Sequence, residues 1–381
     1  MHQVPADNPP IRFPQLDAIR GLAALVVFIG HAVGMLPQVP PFFQAIRHTP
    51  LHFFYDGEAA VILFFVLSGF VLNLKYTTAE SRSQRWVIPF IIRRIFRIYP
   101  AFVVGVLFSL FLKSYVFAPS SMAPFSEWFN QFWQAPVTLQ DVLHTLTLVA
   151  PGINANLIDP PIWSLIVEMR LSLLFPLIIW MVNPHQSIKF DFGILILTYL
   201  LCFLARSSLG LFGPHFVLGA FCAKYIRTFS PVLARLSIPL KALWILTSLL
   251  LFESVTWSQS HDPDQWSIYF LMKHLNGFGA AGIILAGLSF QQLSQILKGA
   301  VFQFLGKTSY SFYILHMVLL LAIGTRIYQL TDSFLVAWML TLIVSYAAAY
   351  LVYISVELPM IKVGFLISSR FKTCRTNSIS N

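Results

Sequence analysis

Ten apolar segments, each near the length of a membrane-spanning helix, place the strongest constraint on how this chain can fold. A helix needs about 20 residues to cross the roughly 30 Å hydrocarbon core of a bilayer. The segments are 17–36, 57–74, 98–117, 162–183, 192–206, 210–226, 239–257, 267–290, 303–323 and 334–356. They predict an all-α polytopic membrane protein with about ten transmembrane helices.

The composition of the chain agrees with this fold class. Of the 381 residues, 57% are hydrophobic and 10% are charged, whereas soluble domains contain about 25% charged residues. The net charge is +10, and we attribute it to Lys and Arg residues of cytoplasmic loops that fix the orientation of the chain in the membrane. No nucleic-acid partner is therefore expected. Cys202, Cys222 and Cys374 lie far apart without metal-ligand spacing, and no metal centre is predicted.

The distribution of Lys and Arg among the loops predicts the orientation of the chain. Six basic residues lie in 75–97, whereas 118–160 contains no Lys or Arg. The positive-inside rule therefore places both termini in the cytoplasm and 118–160 outside. We expect a cytoplasmic N-terminal segment over 1–15, an integral membrane domain over 16–360 and a basic cytoplasmic tail over 361–381.

The first span contains three ionisable residues, which are costly in hydrocarbon and therefore favour a function: Asp17, Arg20 and His31. Arg20 and His31 are 11 residues apart, which at 100° per residue places both on one helix face, about 16 Å apart along the axis. Asp17 lies one turn before Arg20 and can pair with it. The alternative for His31 is a hydrogen bond to a neighbouring helix in a packed bundle.

Two other spans carry polar residues that could lie near His31. Counting residues from the start of each span places them at about the same depth in the membrane as His31. Glu168 has Ser164 one turn before it, and its carboxylate could orient the imidazole of His31 and stabilise its charge. The alternative is a structural pair between Glu168 and an arginine. His316, with Tyr313 three residues earlier, reaches a similar depth, and a structural bond between helices is favoured for it.

A basic cluster precedes the third span in the sequence RRIFRIYP. Arg94 and Arg97 share a helix face, and Arg93 flanks them. Guanidinium groups bind phosphate oxygens through charge-assisted bonds, so the cluster predicts a phosphate-bearing ligand, with anionic lipid headgroups as the alternative. Glu357, at the end of the tenth span, is a candidate countercharge.

Five segments, in this order, resemble acyltransferase family 3, a family of integral membrane acyltransferases. They are LDAIRGLAALVVFIGH, FFVLSGFVL (which contains Ser68), RRIFRIYP, IWSLIVEMRLSLLFP and LGKTSYSFYILH. The resemblance covers about residues 12–360. It implies transfer of an acyl group, commonly acetyl, from cytoplasmic acyl-coenzyme A to a hydroxyl of an extracytoplasmic glycan.

The resemblance also implies roles for residues at matching positions. Arg20 and His31 would be essential, with His31 as the general base, and Arg94 and Arg97 would bind the donor.

Further positions match family elements without an assigned role. Trp163, Ser164 and Glu168 match a WSLxxE element. Glu357 matches a glutamate in the terminal helix, although the Leu-Pro that follows it departs from the usual basic residue and proline.

These observations together predict a membrane-bound O-acyltransferase of a bacterial cytoplasmic membrane, one that transfers groups other than aminoacyl groups. The expected donor is acyl-coenzyme A, commonly acetyl-coenzyme A, whose phosphates suit the arginines and whose slender arm could reach His31. His31 would take the proton of the acceptor hydroxyl with support from Glu168, or would itself carry the acyl group. Membrane lipids and a glycan acceptor are the other expected partners.

Two further functions remain open from the sequence. A transporter or flippase is the main alternative, because ionisable residues within a membrane also mark transport paths. A non-catalytic scaffold is the second alternative, but it does not explain why Arg20 and His31 share a helix face.

Overall fold

A computed structural model describes residues 13–74, 86–117, 124–182, 185–258 and 265–373 of the chain. These residues form helices and no strand, which confirms the all-α class. The principal helices are α1 (Pro14–Gly34), α2 (Gly57–Leu74), α3 (Val87–Tyr115), α4 (Ile162–Met181), α5 (Ile188–Ala205), α6 (Ser208–Ala234), α7 (Ile238–Phe252), α8 (Trp266–Ser289), α9 (Ala300–Leu319), α10 (Phe334–Val352) and α11 (Leu358–Thr373).

The lengths of these helices confirm a polytopic membrane protein. In the described ranges, nine continuous helices are long and apolar enough to cross a membrane. The predicted seventh span, 239–257, is not one continuous helix: α7 has 15 residues and ends at Phe252, and a short helix over Ser254–Ser258 follows Glu253.

The helix that contains the third predicted span is longer than that span, because α3 begins at Val87 and not near residue 98. Arg93, Arg94 and Arg97 therefore lie within a helix and not in a loop. The aliphatic stems of arginine can follow an apolar helix surface while the guanidinium groups turn toward a polar region. The rest of the predicted basic loop, 75–85, lies outside the described residues.

The helices of the last two predicted spans continue beyond those spans through π-helical turns. The turn Leu320–Gly324 joins α9 to a helix over Thr325–Thr331, and Tyr353–Glu357 joins α10 to α11. The predicted domain limits at 15/16 and 360/361 and the orientation of the termini stay predictions. Residues 1–12 and 374–381 lie outside the described residues.

Small residues fix the crossing of α1 with α9. A Cβ on Gly21 would lie 2.4 Å from the carbonyl carbon of Leu305, and one on Gly306 would lie 2.4 Å from the carbonyl oxygen of Asp17. The two backbones are therefore in direct contact, as is common where small residues meet in membrane helices. This crossing sets the positions of the ionisable residues on α1 against those on α9.

The loop between α3 and α4 folds over the end of α1. The hydroxyl of Ser126 donates a hydrogen bond of 2.5 Å to the carbonyl of Gly34, and the indole of Trp133 donates one of 2.7 Å to the carbonyl of Ile158. Its short helix Leu139–Leu146 leaves Leu139 and Leu143 exposed, which suits a membrane interface. The described part of this loop thus has a fixed structure beside α1.

Candidate active site

Two cavities meet at a wall formed by Val61 and Tyr313, whose side chains line both. We call the first the arginine cavity, since it is lined by Arg20, Arg93, Arg94, Arg97, Ser68, Ser164 and Glu168. We call the second the histidine cavity, since it is lined by His31, His52, Tyr55, Asp56, Trp128 and Trp163. The two ionisable residues predicted to share a face of α1, Arg20 and His31, therefore serve different cavities.

A pair of histidines lies at the wall of the histidine cavity. Nδ1 of His31 on α1 is 3.0 Å from Nε2 of His316 on α9, and the two rings are nearly parallel. Nδ1 of His316 lies 2.8 Å from the carbonyl oxygen of Tyr313 and 3.3 Å from that of Phe312. The bond between helices that was expected of His316 is thus present, and its partner is His31.

These contacts assign the proton positions of the neutral pair. Carbonyl oxygens only accept hydrogen bonds, so Nδ1 of His316 carries its proton and its Nε2 is an acceptor. Nδ1 of His31 must then donate to that acceptor, which leaves the lone pair of His31 on Nε2. His316 is fully buried, whereas His31 is partly exposed in the cavity. The arrangement presents one imidazole nitrogen as a proton acceptor.

Trp128 from the loop between α3 and α4 covers this imidazole. The ring centroids of Trp128 and His31 are 5.6 Å apart, and a Cβ on Gly34 would lie 3.0 Å from the indole. Gly34 thus leaves the space that the indole occupies. Trp128 and Trp163 each keep about two-fifths of their surface exposed, so aromatic faces are open to a ligand.

In the arginine cavity, Arg94 is the most firmly held cation. Its Nη2 pairs with Oε1 of Glu168, and its Nε donates a hydrogen bond of 2.9 Å to Ser172. The hydroxyl of Ser68 donates to the same Glu168 oxygen at 2.9 Å. Glu168 is thereby fixed by two helices, α2 and α3.

The other arginines of the cavity have weaker contacts. Arg20 lies 3.5 Å from Asp17, so the expected pair at the start of α1 is present. Arg93 lies 3.5 Å from Ser368 and 5.9 Å from the ring centroid of Phe365. Arg97 is exposed and has no hydrogen bond or ion pair to a described residue. Its guanidinium is therefore the one best placed to receive an anionic ligand.

The expected contact between Glu168 and His31 is not found among the described residues. Glu168 lines the arginine cavity and bonds to Arg94 and Ser68, whereas His316 is the partner of His31. A depth count along a helix fixes the height of a residue but not which neighbouring helix its side chain faces. The contacts instead agree with the alternative prediction, a structural pair between Glu168 and an arginine.

The remaining predicted residues form the wall and its surroundings. The hydroxyls of Ser164 and Tyr313 are 2.7 Å apart, and Ser164 lines the arginine cavity while its neighbour Trp163 lines the histidine cavity. Glu357 is buried, accepts a hydrogen bond of 2.7 Å from Ser311, and lies within electrostatic range of Arg97 and Arg20. That position agrees with a countercharge to the basic cluster.

Comparison with known proteins identifies the family. A family model described as an acyltransferase domain matches residues 13–354. The chain belongs to this family. It is acyltransferase family 3, so the resemblance drawn from the five sequence segments is confirmed.

Two curated relatives add little detail beyond the family. Acyltransferase MdmB of Streptomyces mycarofaciens is 31% identical over 169 residues, which are 44% of this chain and 39% of the relative. An uncharacterized protein of Haemophilus influenzae is 30% identical over 125 residues, which are 31% of this chain and 47% of the relative. The chain thus spans less than half the length of these relatives. No solved structure matches it.

Membership of acyltransferase family 3 agrees with an integral, multi-pass membrane protein.

A buried cluster of His52, Asp56 and Glu253 was missed by the sequence reasoning. Glu253 follows His52 by 201 residues, so no local spacing connects the two. The sequence does contain a local signal for this cluster, an acidic pair at the start of α2. Asp56 lies directly before α2, and Glu58 lies in its first turn. His52, Asp56 and Glu58 all line the histidine cavity.

Asp159, in the turn before α4, was also missed. It is fully buried, and neither carboxylate oxygen has a hydrogen-bond partner among the residues that the structure describes. Burial raises the pKa of this carboxyl well above its ordinary value, because the charged form is poorly solvated there. The neutral acid is therefore the form favoured in the folded protein.

We expect Asp159→Asn to stabilise the protein at about pH 8 relative to the natural chain. The unfolded chain ionises Asp159 above its ordinary pKa of 3.8, whereas the folded chain keeps the proton to a higher pH, so the natural protein loses stability as the pH rises above 3.8. The variant removes this loss. The midpoint of thermal unfolding in detergent, measured at about pH 5 and about pH 8, checks the difference.

Asp141→Asn is the matched control and should have the opposite sign. Hydrogen bonds from Thr138 lower the pKa of Asp141, so its charged form stabilises the short loop helix at neutral pH. An equal pH response of the Asp159→Asn variant and the natural chain would contradict a neutral Asp159.

Proposed function

We propose that this chain is a membrane-bound O-acyltransferase that moves an acyl group from acyl-coenzyme A to a hydroxyl of a glycan or glycoconjugate. One observation carries the proposal: an arginine-lined cavity and a histidine-lined cavity meet at the wall of Val61 and Tyr313. The first suits an anionic donor, and the second presents a proton acceptor to a hydroxyl.

The donor would bind through its phosphates in the arginine cavity. Arg97 offers an uncommitted guanidinium, and Arg93 and Arg20 make only long polar contacts. Among the described residues that line this cavity, four are arginines and one, Glu168, is a carboxylate, and with Asp17 and Glu357 beside them the arginines still outnumber the carboxylates. Such a field attracts a polyphosphate and orients it.

The thioester would reach the histidine cavity along α1. Arg20 and His31 are 11 residues apart on this helix, which corresponds to about 16 Å along its axis. An extended pantetheine arm has the slender shape needed to pass between Val61 and Tyr313, while the nucleotide stays with the arginines. Only the acyl end would cross the wall.

The chemistry then needs one proton acceptor. The acceptor hydroxyl would donate its proton to Nε2 of His31 as its oxygen attacks the thioester carbonyl carbon. The tetrahedral intermediate would collapse, the carbon–sulfur bond would break, and the coenzyme thiolate would take the proton from His31. The products are an O-acyl ester and the coenzyme thiol, so atoms and charge balance. His316 would hold His31 in the required tautomer.

The positive-inside distribution of Lys and Arg supports transfer from the cytoplasm outward, with acetyl-coenzyme A as donor in a bacterial cytoplasmic membrane. On this orientation the loop with Trp128 lies outside, and the indoles of Trp128 and Trp163 could stack on sugar rings. A polysaccharide or glycoconjugate of the cell envelope is the corresponding acceptor.

The test uses the purified full chain in proteoliposomes with radiolabelled acetyl-coenzyme A and a panel of hydroxylated glycans. We expect label to enter one acceptor class as coenzyme thiol is released in equal amounts. Movement of glycan across the bilayer without thiol release would identify a transporter and overturn the proposal.

Arg97→Ala is expected to raise KM for acyl-coenzyme A by about tenfold, because a charge-assisted bond to phosphate contributes at least 1.5 kcal/mol. Its midpoint of thermal unfolding should stay nearly unchanged, since Arg97 is exposed and makes no hydrogen bond or ion pair to a described residue. Arg235→Ala, which removes another exposed arginine at the end of α6, is the matched control. Equal KM values for both variants would argue against donor binding at Arg97.

A further inference from the structure

The histidine cavity contains a second polar group of residues, beside the histidine pair. His52 comes from the 3-10 helix Pro50–Phe54, Asp56 directly precedes α2, and Glu253 directly follows α7. Nδ1 of His52 lies 2.5 Å from Oε2 of Glu253 and 3.5 Å from Oδ2 of Asp56. One imidazole nitrogen is thus shared by two carboxylates, and all three residues are at most 8% exposed.

One oxygen of this cluster has no donor. Oε1 of the fully buried Glu253 makes no hydrogen bond within the described part of the chain. Such atoms are rare in folded proteins, because desolvation without a partner costs about 1–3 kcal/mol. Lys273 on α8, whose ammonium is also buried, is paired with Glu58. A cation that bridges the carboxylates would satisfy Glu253.

We infer that His52, Asp56 and Glu253 form a binding site for a divalent transition metal ion such as Zn²⁺. Imidazole nitrogen with two carboxylate oxygens is a donor set that zinc accepts, and three such atoms of the cluster lie within 4.8 Å of one another. The sequence-based expectation of no metal rested on cysteine spacing alone, which does not bear on this donor set.

The separations suit a tetrahedral ion with a small adjustment. Ligand atoms at about 2.1 Å from zinc are about 3.4 Å apart in a tetrahedron. The distance from His52 to Asp56 is already 3.5 Å, and the contact between His52 and Glu253 would lengthen as the ion replaces the proton on Nδ1.

The carboxylate of Asp56 is already oriented. Its Oδ1 accepts a hydrogen bond of 2.8 Å from the amide of Ala59, and its Oδ2 accepts one of 3.1 Å from Thr256. Partners of this kind fix ligands in metal sites.

The fourth coordination position would open toward the candidate active site. His52, Asp56 and Thr256 line the same cavity as His31. The two regions are in contact, because a Cβ on Gly30, the residue before His31, would lie 2.6 Å from the carbonyl oxygen of Tyr55. Resting on the proposed function, the metal would coordinate an oxygen of the acceptor and hold its hydroxyl at His31.

The test begins with metal binding by the purified full chain, which is independent of acyl transfer. After treatment with a chelator, the protein is dialysed against Zn²⁺ and its metal content measured, and Co²⁺ is bound as a spectroscopic probe. We expect one ion per chain and visible Co²⁺ absorption that Zn²⁺ abolishes. His52→Gln and Glu253→Gln should weaken binding by about tenfold or more.

Glu127→Gln, in the loop between α3 and α4, is the matched control and should bind normally. Size-exclusion profiles and thermal unfolding show whether each variant is folded. Two results would overturn the metal site: substoichiometric binding by the natural chain, or equal binding by all three variants. His52, Asp56 and Glu253 would then be only a hydrogen-bonded cluster.

The second arm tests the role in catalysis. Removal of zinc should raise KM for the acceptor by about tenfold and leave KM for acyl-coenzyme A unchanged. Zinc binding without acyl transfer would leave the metal site standing and overturn the proposed function. Acyl transfer without zinc binding would leave the proposed function standing and overturn the metal site.

Discussion

His31→Ala is expected to lower the rate of acyl transfer by about a thousandfold, because a general base contributes on the order of 10²–10⁴ to such a step. His31 lines the cavity proposed for the acceptor, and its Nε2 has no hydrogen bond to a described residue. Alanine removes the nitrogen that would take the hydroxyl proton. Initial rates of labelled acyl transfer in proteoliposomes measure the effect, and thermal unfolding shows whether the variant folds.

The matched control for this prediction is His144→Ala, which removes a histidine from the short loop helix Leu139–Leu146. It should retain the natural rate, because His144 lines neither cavity. Full acyl transfer by the His31→Ala variant would remove His31 from the mechanism and leave the histidine cavity without a base.

Variants of His316 separate the base from the residue that positions it. His316→Gln keeps an acceptor for the proton on Nδ1 of His31, whereas His316→Leu removes that acceptor. We expect the Leu variant to lose about 10–100-fold in kcat with KM for acyl-coenzyme A unchanged, as for other residues that orient a reacting group. The Gln variant should retain more of the rate. Equal rates in both variants would contradict the assigned tautomer.

The helical fold was predictable because apolar length is a property of each segment alone. The ends were less predictable, since a hydropathy pattern stops at charged residues while a helix need not. α3 begins at Val87, 11 residues before the third predicted span at 98, and so includes the arginines. The turns Leu320–Gly324 and Tyr353–Glu357 extend two other helices for the same reason: local i→i+5 bonds keep the backbone helical beyond the apolar run.

The candidate site was predictable where one helix determines the geometry. The shared face of Arg20 and His31 follows from the helical period alone. Contacts between helices depend on how the helices pack, which the period does not determine. Glu168 therefore meets Arg94, 74 residues earlier in the chain, and His31 meets His316, 285 residues later.

Loss of the ion pair between Arg94 and Glu168 is expected to lower the stability of the protein strongly. Among the described residues, Arg94→Ala would leave the carboxylate of Glu168 with the hydroxyl of Ser68 as its one hydrogen-bond partner. Both side chains of the pair are mostly buried. Removal of one partner from such a pair costs about 3–5 kcal/mol, because the remaining charge is uncompensated. We expect a clear fall in the midpoint of thermal unfolding in detergent, together with weaker binding of acyl-coenzyme A.

The double variant Arg94→Ala/Glu168→Gln distinguishes structure from donor binding. It removes both charges, so most of the lost stability should return, while binding of acyl-coenzyme A should stay weak because one phosphate ligand is still missing. Arg97→Ala is the complementary control, with an effect on KM and none on the unfolding midpoint. If the double variant regains both stability and the natural KM, Arg94 serves only to neutralise Glu168, and the donor is held by the remaining arginines of the cavity.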